Sequence, residues 1–195
     1  MDTLLIVAIV TVIVVLLAVA GIAWFASSRK RTSELREGFG SEYDRALRKG
    51  GGRRQAEAEL EARRKRVEKL HLKEIPAVRA QEYAERWRIV QGRFVDDPAG
   101  AIKQADQLCT IVMNERGYPM ADFDQRAADI SVDHPTVVSN YRSAHAISEA
   151  IDRHDATTES LRQAMVNFRS LFEDLLEVGT SGETVRPPRE SQVAR

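Results

Sequence analysis

Cysteine and histidine are scarce in this chain of 195 residues, which contains one cysteine and four histidines. A single cysteine cannot form an internal disulfide, so no oxidising compartment is implied. Cys109 falls in a stripe of apolar residues at helical spacing, which predicts a buried and unreactive thiol. The motif H-E-x-x-H, which places two metal ligands on one helix face, is absent around His134 and His145. We therefore predict no metal site and no cofactor.

Sequence signatures of catalysis are also missing. The chain has no glycine-rich phosphate loop and no strand-turn-helix pattern that would hold an activated serine or cysteine beside a histidine. Apolar and polar residues do not alternate over a useful length between Pro76 and Val178, so no β-sheet is expected. These absences predict an all-α protein that is not an enzyme.

Charge is abundant but unevenly distributed along the chain. The 29 Lys and Arg residues balance 29 Asp and Glu residues, so the formal net charge is zero. Residues 29–73 carry 15 basic and 8 acidic side chains, a net of +7, whereas residues 74–195 carry 14 and 20, a net of −6. Asp2 supplies the remaining −1. The basic part directly follows the longest apolar run of the chain.

That apolar run extends from Leu4 to Phe25 without a charged residue. Twenty-two helical residues span about 33 Å, enough to cross the hydrocarbon core of a bilayer, so residues 1–28 are predicted to form a transmembrane anchor. Basic residues follow the run at Arg29, Lys30 and Arg31, which by the positive-inside rule predicts an outside N-terminus and a cytoplasmic body. A cleaved signal peptide is the alternative, since Ala18-Val19-Ala20 resembles a cleavage site.

Residues 29–75 are predicted to form a basic helical stalk. Leu35, Phe39, Tyr43 and Leu47 recur every four residues along a first helix, and Gly50-Gly51-Gly52 ends it. Arg53 to Leu70 forms a second helix, dense in charge, with a thin apolar row. That row consists of Ala56, Leu60, Val67 and Leu70.

The basic residues of the stalk are candidates for contact with anionic lipid, because each cation near such a surface is attracted by about 1 kcal/mol. The candidates are Arg29, Lys30, Arg31, Arg63, Arg64, Lys65 and Arg66. The alternative is a solvated helix whose glutamates offset its arginines. Nucleic-acid binding is not predicted, because no aromatic residue lies between Arg53 and Leu70 to stack on bases.

Residues 76–178 are predicted to form an antiparallel bundle of four or five helices. Proline and aspartate at Pro76, Asp97 and Asp122 mark helix starts, and Gly117 marks a helix end. Residues 179–195 contain too few apolar side chains to order themselves and are predicted to form a disordered tail.

The stretch from Gln125 to His145 concentrates polar and aromatic residues. Asp133 before Pro135 is predicted to cap the next helix, and Tyr141 and His145, four residues apart, could hydrogen-bond across a packed surface. Besides this structural interpretation, a protein-binding surface and catalysis stay open as alternatives. The candidate residues are Asp129, Asp133, His134, Tyr141, Arg142 and His145. A DNA-binding helix-turn-helix is disfavoured, because residues 122–153 carry six acidic groups against three arginines.

The runs GYPMADFDQRAADISVDHPTVVSNYRSAH and WRIVQGRFVDDPAGAIKQADQL resemble a family of bacterial proteins with one N-terminal span, a charged linker and a C-terminal helical module. The similarity covers roughly residues 80–150. It implies a location at a bacterial inner or plasma membrane, and no activity, cofactor or partner is known for the family.

These observations predict a membrane-anchored, non-enzymatic helical module that binds another protein or assembles with itself. The alternative is an envelope-stress or regulatory component whose basic stalk senses anionic lipid.

Overall fold

The computed structural model describes residues 2–177, with the backbone alone at residues 2–12, 14, 15, 21, 23, 24 and 26. Over this range the chain forms eight α-helices and no strand, which confirms the all-α prediction. The helices are α1 Asp2–Phe39, α2 Ser41–Arg48, α3 Gly52–Val67, α4 Ala77–Arg93, α5 Pro98–Arg116, α6 Phe123–Asp133, α7 Val138–Asp152 and α8 Thr158–Glu177. The tail predicted at residues 179–195 lies outside the described residues.

Within the part of the chain that is described, none of the helices is long and apolar enough to cross a membrane.

The chain divides into two compact units, residues 1–63 and residues 64–195. The stalk predicted at residues 29–75 is therefore shared between them. In the first unit, α1 ends before Gly40, which has a φ of +49°, and a glycine triplet at residues 50–52, with φ from +77° to +91°, precedes the body of α3. Such φ values favour glycine because it has no Cβ.

Side chains from all three helices form a small core in the first unit. Its buried apolar residues are Leu35, Phe39, Tyr43, Ala46, Ala56 and Leu60. Leu47 of the predicted stripe is only half-buried, whereas Ala46 beside it in α2 is buried. The Glu57 carboxylate of α3 joins this helix to α1 and α2. It accepts hydrogen bonds from Thr32 Oγ1 of α1 at 2.8 Å and from Tyr43 Oη of α2 at 3.0 Å. The α3 helix is thus a packed element as well as a charged one.

In the second unit, α4 to α8 share one apolar core, as expected for a helical bundle. The helix α5 lies at its centre and contacts α4, α7 and α8, since it carries apolar residues on more than one face. Trp87 of α4 stacks on Phe172 of α8 with 4.7 Å between ring centroids. Arg79 fastens α4 to α5 through two bonds to Glu115, of 3.1 and 2.8 Å, and this contact lowers the pKa of Glu115 to about 2.

Helix boundaries in this unit agree with the predicted signals at four positions. The α4 helix follows Pro76, the Asp97 carboxylate accepts from the Gly100 amide, and the Asp122 carboxylate accepts from the Gln125 amide, both at 2.9 Å. The α5 helix ends at Gly117 in the left-handed conformation, with a φ of +98°.

Gly117→Ala is expected to destabilise the second unit. The left-handed conformation costs a residue with a Cβ about 1–2 kcal/mol, and the new Cβ would lie 3.0 Å from the His71 carbonyl oxygen. Gly92→Ala, in α4 with open space around it, should instead stabilise by about 0.5–1 kcal/mol. Hydrogen exchange of α5 and α4 amides in the full-length chain measures both effects. A change of stability in the same direction for both variants would contradict this account.

Candidate functional site

The six candidate residues around α6 and α7 do not form one exposed surface. Asp129, His134 and Tyr141 are buried, Arg142 and His145 are half-buried, and Asp133 alone of the six is exposed. All belong to the second unit. Their environments have to be considered separately.

Asp129, near the end of α6, is held by two side chains. Its Oδ1 accepts from Arg66 Nε at 2.8 Å, from Arg66 Nη2 at 2.6 Å and from Gln125 Nε2 at 2.9 Å. Both guanidinium nitrogens share this one oxygen, and the other carboxylate oxygen, Oδ2, is buried without a direct hydrogen-bond partner. The Gln125 side chain, whose backbone amide is bonded to the Asp122 cap, thus donates to Asp129 one turn further along α6.

Asp133 does not cap the following helix, so this prediction was wrong. The α6 helix continues through Asp133, and α7 begins after Val137 without a side-chain cap. The Asp133 carboxylate instead accepts a hydrogen bond of 2.8 Å from Tyr118 Oη. Burial, together with this carboxylate, raises the pKa of the Tyr118 hydroxyl.

His134 is the centre of a buried polar cluster. Its Nδ1 is bonded to the Asp174 carboxylate on α8, and Arg116 Nη1 donates to its Nε2 at 3.4 Å. The same Arg116 nitrogen donates to the Leu175 carbonyl oxygen at 2.9 Å, near the end of α8. Arg116 therefore joins the ends of α5 and α8, where a cation is favoured by the helix dipole.

This cluster has two of the three groups of a catalytic triad, but its geometry argues against base catalysis. The base in such a triad uses one imidazole nitrogen to bind a carboxylate and the other to take a proton from a nucleophile. Here the second nitrogen accepts from a buried arginine, and the ring is 1% exposed. The arrangement can tie α5, the end of α6 and α8 together.

The second unit is expected to lose stability as the pH falls below about 6.5, the ordinary pKa of histidine. Burial lowers the pKa of His134, with Arg116 acting in the same direction and Asp174 and Asp133 opposing it. The folded chain then binds this proton less tightly than the unfolded chain, so acid favours unfolding. The stability that His134 contributes to the second unit is therefore fully present above pH 6.5 and decreases as the pH falls below that value.

Hydrogen exchange of α5 and α8 amides at several pH values measures this effect. His134→Gln, which cannot titrate at this position, is the control. The variant should be less stable than the parent, but its stability should change less steeply with pH between pH 5 and 6.5. An unchanged slope would show that other groups cause the acid sensitivity.

A second polar cluster lies between α5, α6 and α7. It contains Asp106, Arg126, Tyr141 and His145, and each has a buried atom without a direct hydrogen-bond partner: Asp106 Oδ1, Arg126 Nε, Tyr141 Oη and His145 Nδ1. Burial raises the pKa of Asp106, and it raises that of Tyr141 to about 12. The bond that we expected between the polar tips of Tyr141 and His145 is therefore not made. His145 stacks on Phe123, with 3.5 Å between ring centroids.

Cys109 is fully buried near this cluster, as predicted. Burial raises the pKa of its thiol, and the neighbouring Asp106 carboxylate acts in the same direction. A thiol in such surroundings is a poor nucleophile, because the thiolate is the reactive form.

The basic residues proposed to contact lipid fall into different environments. Arg29, Lys30 and Arg31 are exposed in the first unit, and Arg64 and Lys65 are exposed in the second. Arg66 is bound to Asp129. Arg63 is buried, because Nη1 donates to Glu42 Oε2 at 3.1 Å and Nη2 donates to Glu59. Arg63 therefore does not present its charge at the surface.

Sequence reasoning missed an apolar groove on the outer side of α4 and α5. Its volume is about 250 Å³, and it is lined by Arg86, Ile89, Val90, Gln104, Gln107, Leu108 and Ile111. Ile89 is 66% exposed and Ile111 is 45% exposed. The available signal was that these two isoleucines lie off the core stripes of their helices.

Within residues 2–177, no group of three or more histidine, cysteine or acidic side chains is arranged to hold a metal ion. Comparisons of the chain with models of protein families, with curated proteins and with solved structures gave no match. Function is therefore inferred from the chain's own geometry.

Proposed function

We propose that this chain is a membrane-tethered, non-enzymatic module that binds a helix of another protein in the α4–α5 groove. The observation that carries the proposal is the pair of exposed isoleucines, Ile89 and Ile111, which line that groove together with the buried Val90 and Leu108. Contiguous exposed apolar residues with a polar rim are typical of protein-binding surfaces.

The shape and charge of the groove favour an amphipathic helix as the occupant. The groove is lined by side chains of two helices, α4 and α5, and an amphipathic helix packs its apolar face into such a groove with contacts at i, i+3, i+4 and i+7. Arg86 is the charged residue among those lining the groove, and Gln104 and Gln107 offer neutral hydrogen-bonding groups. We therefore expect the partner helix to present an acidic residue towards Arg86.

A photo-crosslinking residue placed at position 89 or 111 of the full-length chain tests this proposal in the native membrane. Crosslinks should form at both positions and should be reduced by Arg86→Glu, which reverses the rim charge. Val166 on α8, also exposed at 49%, is the matched control position. Equal crosslinking at position 166 would refute a specific groove, and crosslinks only between copies of the chain would show self-assembly instead.

The tether is proposed from the sequence, on the uncharged run from Leu4 to Phe25. The basic residues at Arg29, Lys30 and Arg31 support an outside N-terminus and a body in the bacterial cytoplasm. A C-terminal reporter that is active only in the cytoplasm should give a signal, and one that requires the periplasm should stay silent. The reverse result would refute the orientation, and a chain released by carbonate extraction would refute the tether.

A lipid-sensing role is the second candidate, favoured by the exposure of Arg29, Lys30 and Arg31. In lipid nanodiscs, amides of residues 29–48 should be better protected from exchange with anionic than with neutral lipid, and added salt should remove the difference. Replacing the three residues with glutamine should have the same effect as salt. Equal protection in both lipids would exclude electrostatic sensing.

A further inference from the structure

A cavity of the second unit lies where the start of α5 meets the end of α7 and the start of α8. Its volume is about 540 Å³, within the range of about 300–1,000 Å³ that is typical of sites for small molecules. It is lined by four apolar residues, Ala99, Ile151, Ala156 and Leu161, and by three polar ones, Lys103, Asp152 and His154. It shares no residue with the α4–α5 groove, so it is a separate candidate site.

His154 lines this cavity in a backbone conformation that favours glycine. Its φ is +61°, and among residues 2–177 it is the only residue other than glycine with a positive φ. The His154 amide donates to the Ile151 carbonyl oxygen at 3.0 Å, and the Asp155 amide donates to that of Ala150 at 2.9 Å. These two bonds form a common ending of an α-helix, in which glycine usually occupies the position of His154. The turn therefore needs no side chain at this position, and the presence of an imidazole requires another explanation.

Opposite charges lie side by side at the cavity. Lys103 Nζ of α5 donates to Asp152 Oδ1 of α7 at 2.5 Å, and this bond lowers the pKa of Asp152. The two side chains are 48% and 68% exposed, and such a pair contributes little to stability. Asp152 also lies in the last turn of α7, where the helix dipole disfavours a negative charge. The pair therefore does little for the fold, but it places one cation and one anion beside an apolar surface.

The ligand that leaves neither of these charges unpaired is a zwitterion. An anion bound to Lys103 would displace Asp152 and leave its carboxylate without a partner, and a cation bound to Asp152 would leave Lys103 without one. A molecule that carries both charges pairs with both side chains at once. The apolar residues Ile151 and Leu161 favour an aliphatic group on the same molecule.

We propose that this cavity binds a free amino acid with an aliphatic side chain. Lys103 pairs with the carboxylate of the ligand, and Asp152 pairs with its ammonium group. The aliphatic side chain lies against Ile151 and Leu161. The imidazole of His154 donates a hydrogen bond to the ligand carboxylate, which explains a side chain at a position that favours glycine.

Leucine and two analogues that each lack one charge test this proposal on the purified full-length chain. Isocaproate lacks the ammonium group, and isoamylamine lacks the carboxylate. Leucine should bind about tenfold more tightly than either analogue, because each missing group leaves a charged side chain of the cavity without its partner. Protection of the α7–α8 turn amides from hydrogen exchange measures binding. No effect of leucine at millimolar concentration, or equally tight binding of an analogue, would overturn the proposal.

Charge variants of the cavity should exchange its preference among these three compounds. In Lys103→Met, isoamylamine should bind at least as tightly as leucine, because the ligand carboxylate has lost its partner. In Asp152→Asn, isocaproate should bind at least as tightly as leucine for the corresponding reason. A general loss of structure would weaken all three compounds together and cannot exchange the preference. Leucine preferred as strongly in both variants as in the parent would overturn the proposal.

His154→Gly should make the second unit more stable and its binding of leucine weaker. Relief of the left-handed conformation should lower the unfolding equilibrium constant about fivefold, and loss of the imidazole should weaken leucine binding about tenfold. Arg153→Gln, on the same turn but outside the cavity lining, is the matched control and should leave both quantities unchanged. Hydrogen exchange with and without leucine measures both. A His154→Gly variant that binds leucine as tightly as the parent would overturn the proposal.

Discussion

Arg63→Met should destabilise the first unit by about 3 kcal/mol, because it removes the guanidinium that pairs with the buried Glu42 carboxylate. The two side chains are 5% and 3% exposed and are joined by a bond of 3.1 Å. Removing one member of such a pair costs about 3–5 kcal/mol, and the lower value applies here since Arg45 stays 3.9 Å from Glu42. Hydrogen exchange of α2 and α3 amides in the full-length chain measures the loss.

Two further variants separate this explanation from a role in lipid binding. Lys65→Met removes an exposed positive charge and should change stability by less than about 0.5 kcal/mol. The double variant Glu42→Leu with Arg63→Met removes both charges and should recover most of the lost stability, since well-packed apolar replacements of buried ion pairs are often neutral. A double variant as unstable as Arg63→Met alone would show that the loss comes from packing.

Phe168→Ala should be the most damaging single substitution in the second unit, with a loss of about 3–5 kcal/mol. The Phe168 ring is fully buried in α8, and it packs edge-on against Tyr141 of α7 with 6.3 Å between ring centroids. Its removal leaves a cavity where α8 meets both α7 and α5, and the rigid helices can close such a cavity only in part.

Val166→Ala is the matched control for this substitution. It lies on the same helix but is 49% exposed, so it should cost less than about 0.5 kcal/mol. Exchange rates of α5, α7 and α8 amides should rise together in Phe168→Ala. A rise confined to α8 would show that the five helices do not unfold as one unit.

Local signals along the chain were sufficient to predict most of the helix boundaries. Asp97 and Gly117 could be assigned from the sequence because a cap acts on backbone groups within three or four residues of itself. The position of Asp133 could not be assigned from the sequence, because whether a helix ends one turn earlier or later depends on tertiary contacts. Here α6 continues through Asp133 and the cap position of α7 falls on Val137, while the Asp133 carboxylate accepts from the Tyr118 hydroxyl.

The buried charged residues were the main features that the apolar pattern did not reveal. Arg63 lies between Leu60 and Val67 at spacings of three and four, so it occupies the core-facing row of α3. Arg116 is likewise buried at core spacing on α5, and Asp106, also at core spacing there, is half-buried. Position alone shows that such residues point inward, but their partners come from other helices and depend on the packed fold. The unpaired atoms around Tyr141 arise in the same way.

The segment that leads into α4 is fastened to the second unit before α4 begins. Arg66 is clamped by Asp129, and the Lys73 amide donates to the Arg116 carbonyl oxygen at 2.8 Å, beside the left-handed Gly117. Mechanical tension applied through the chain from the N-terminal side therefore meets the Arg66–Asp129 pair, the packed side chains of Leu70 and Leu72, and the Lys73 bond before it reaches α4. The first turn of α4 and the groove beside it bear the load only after these contacts have yielded. The segment would thus act as a strain relief that protects the shape of the groove.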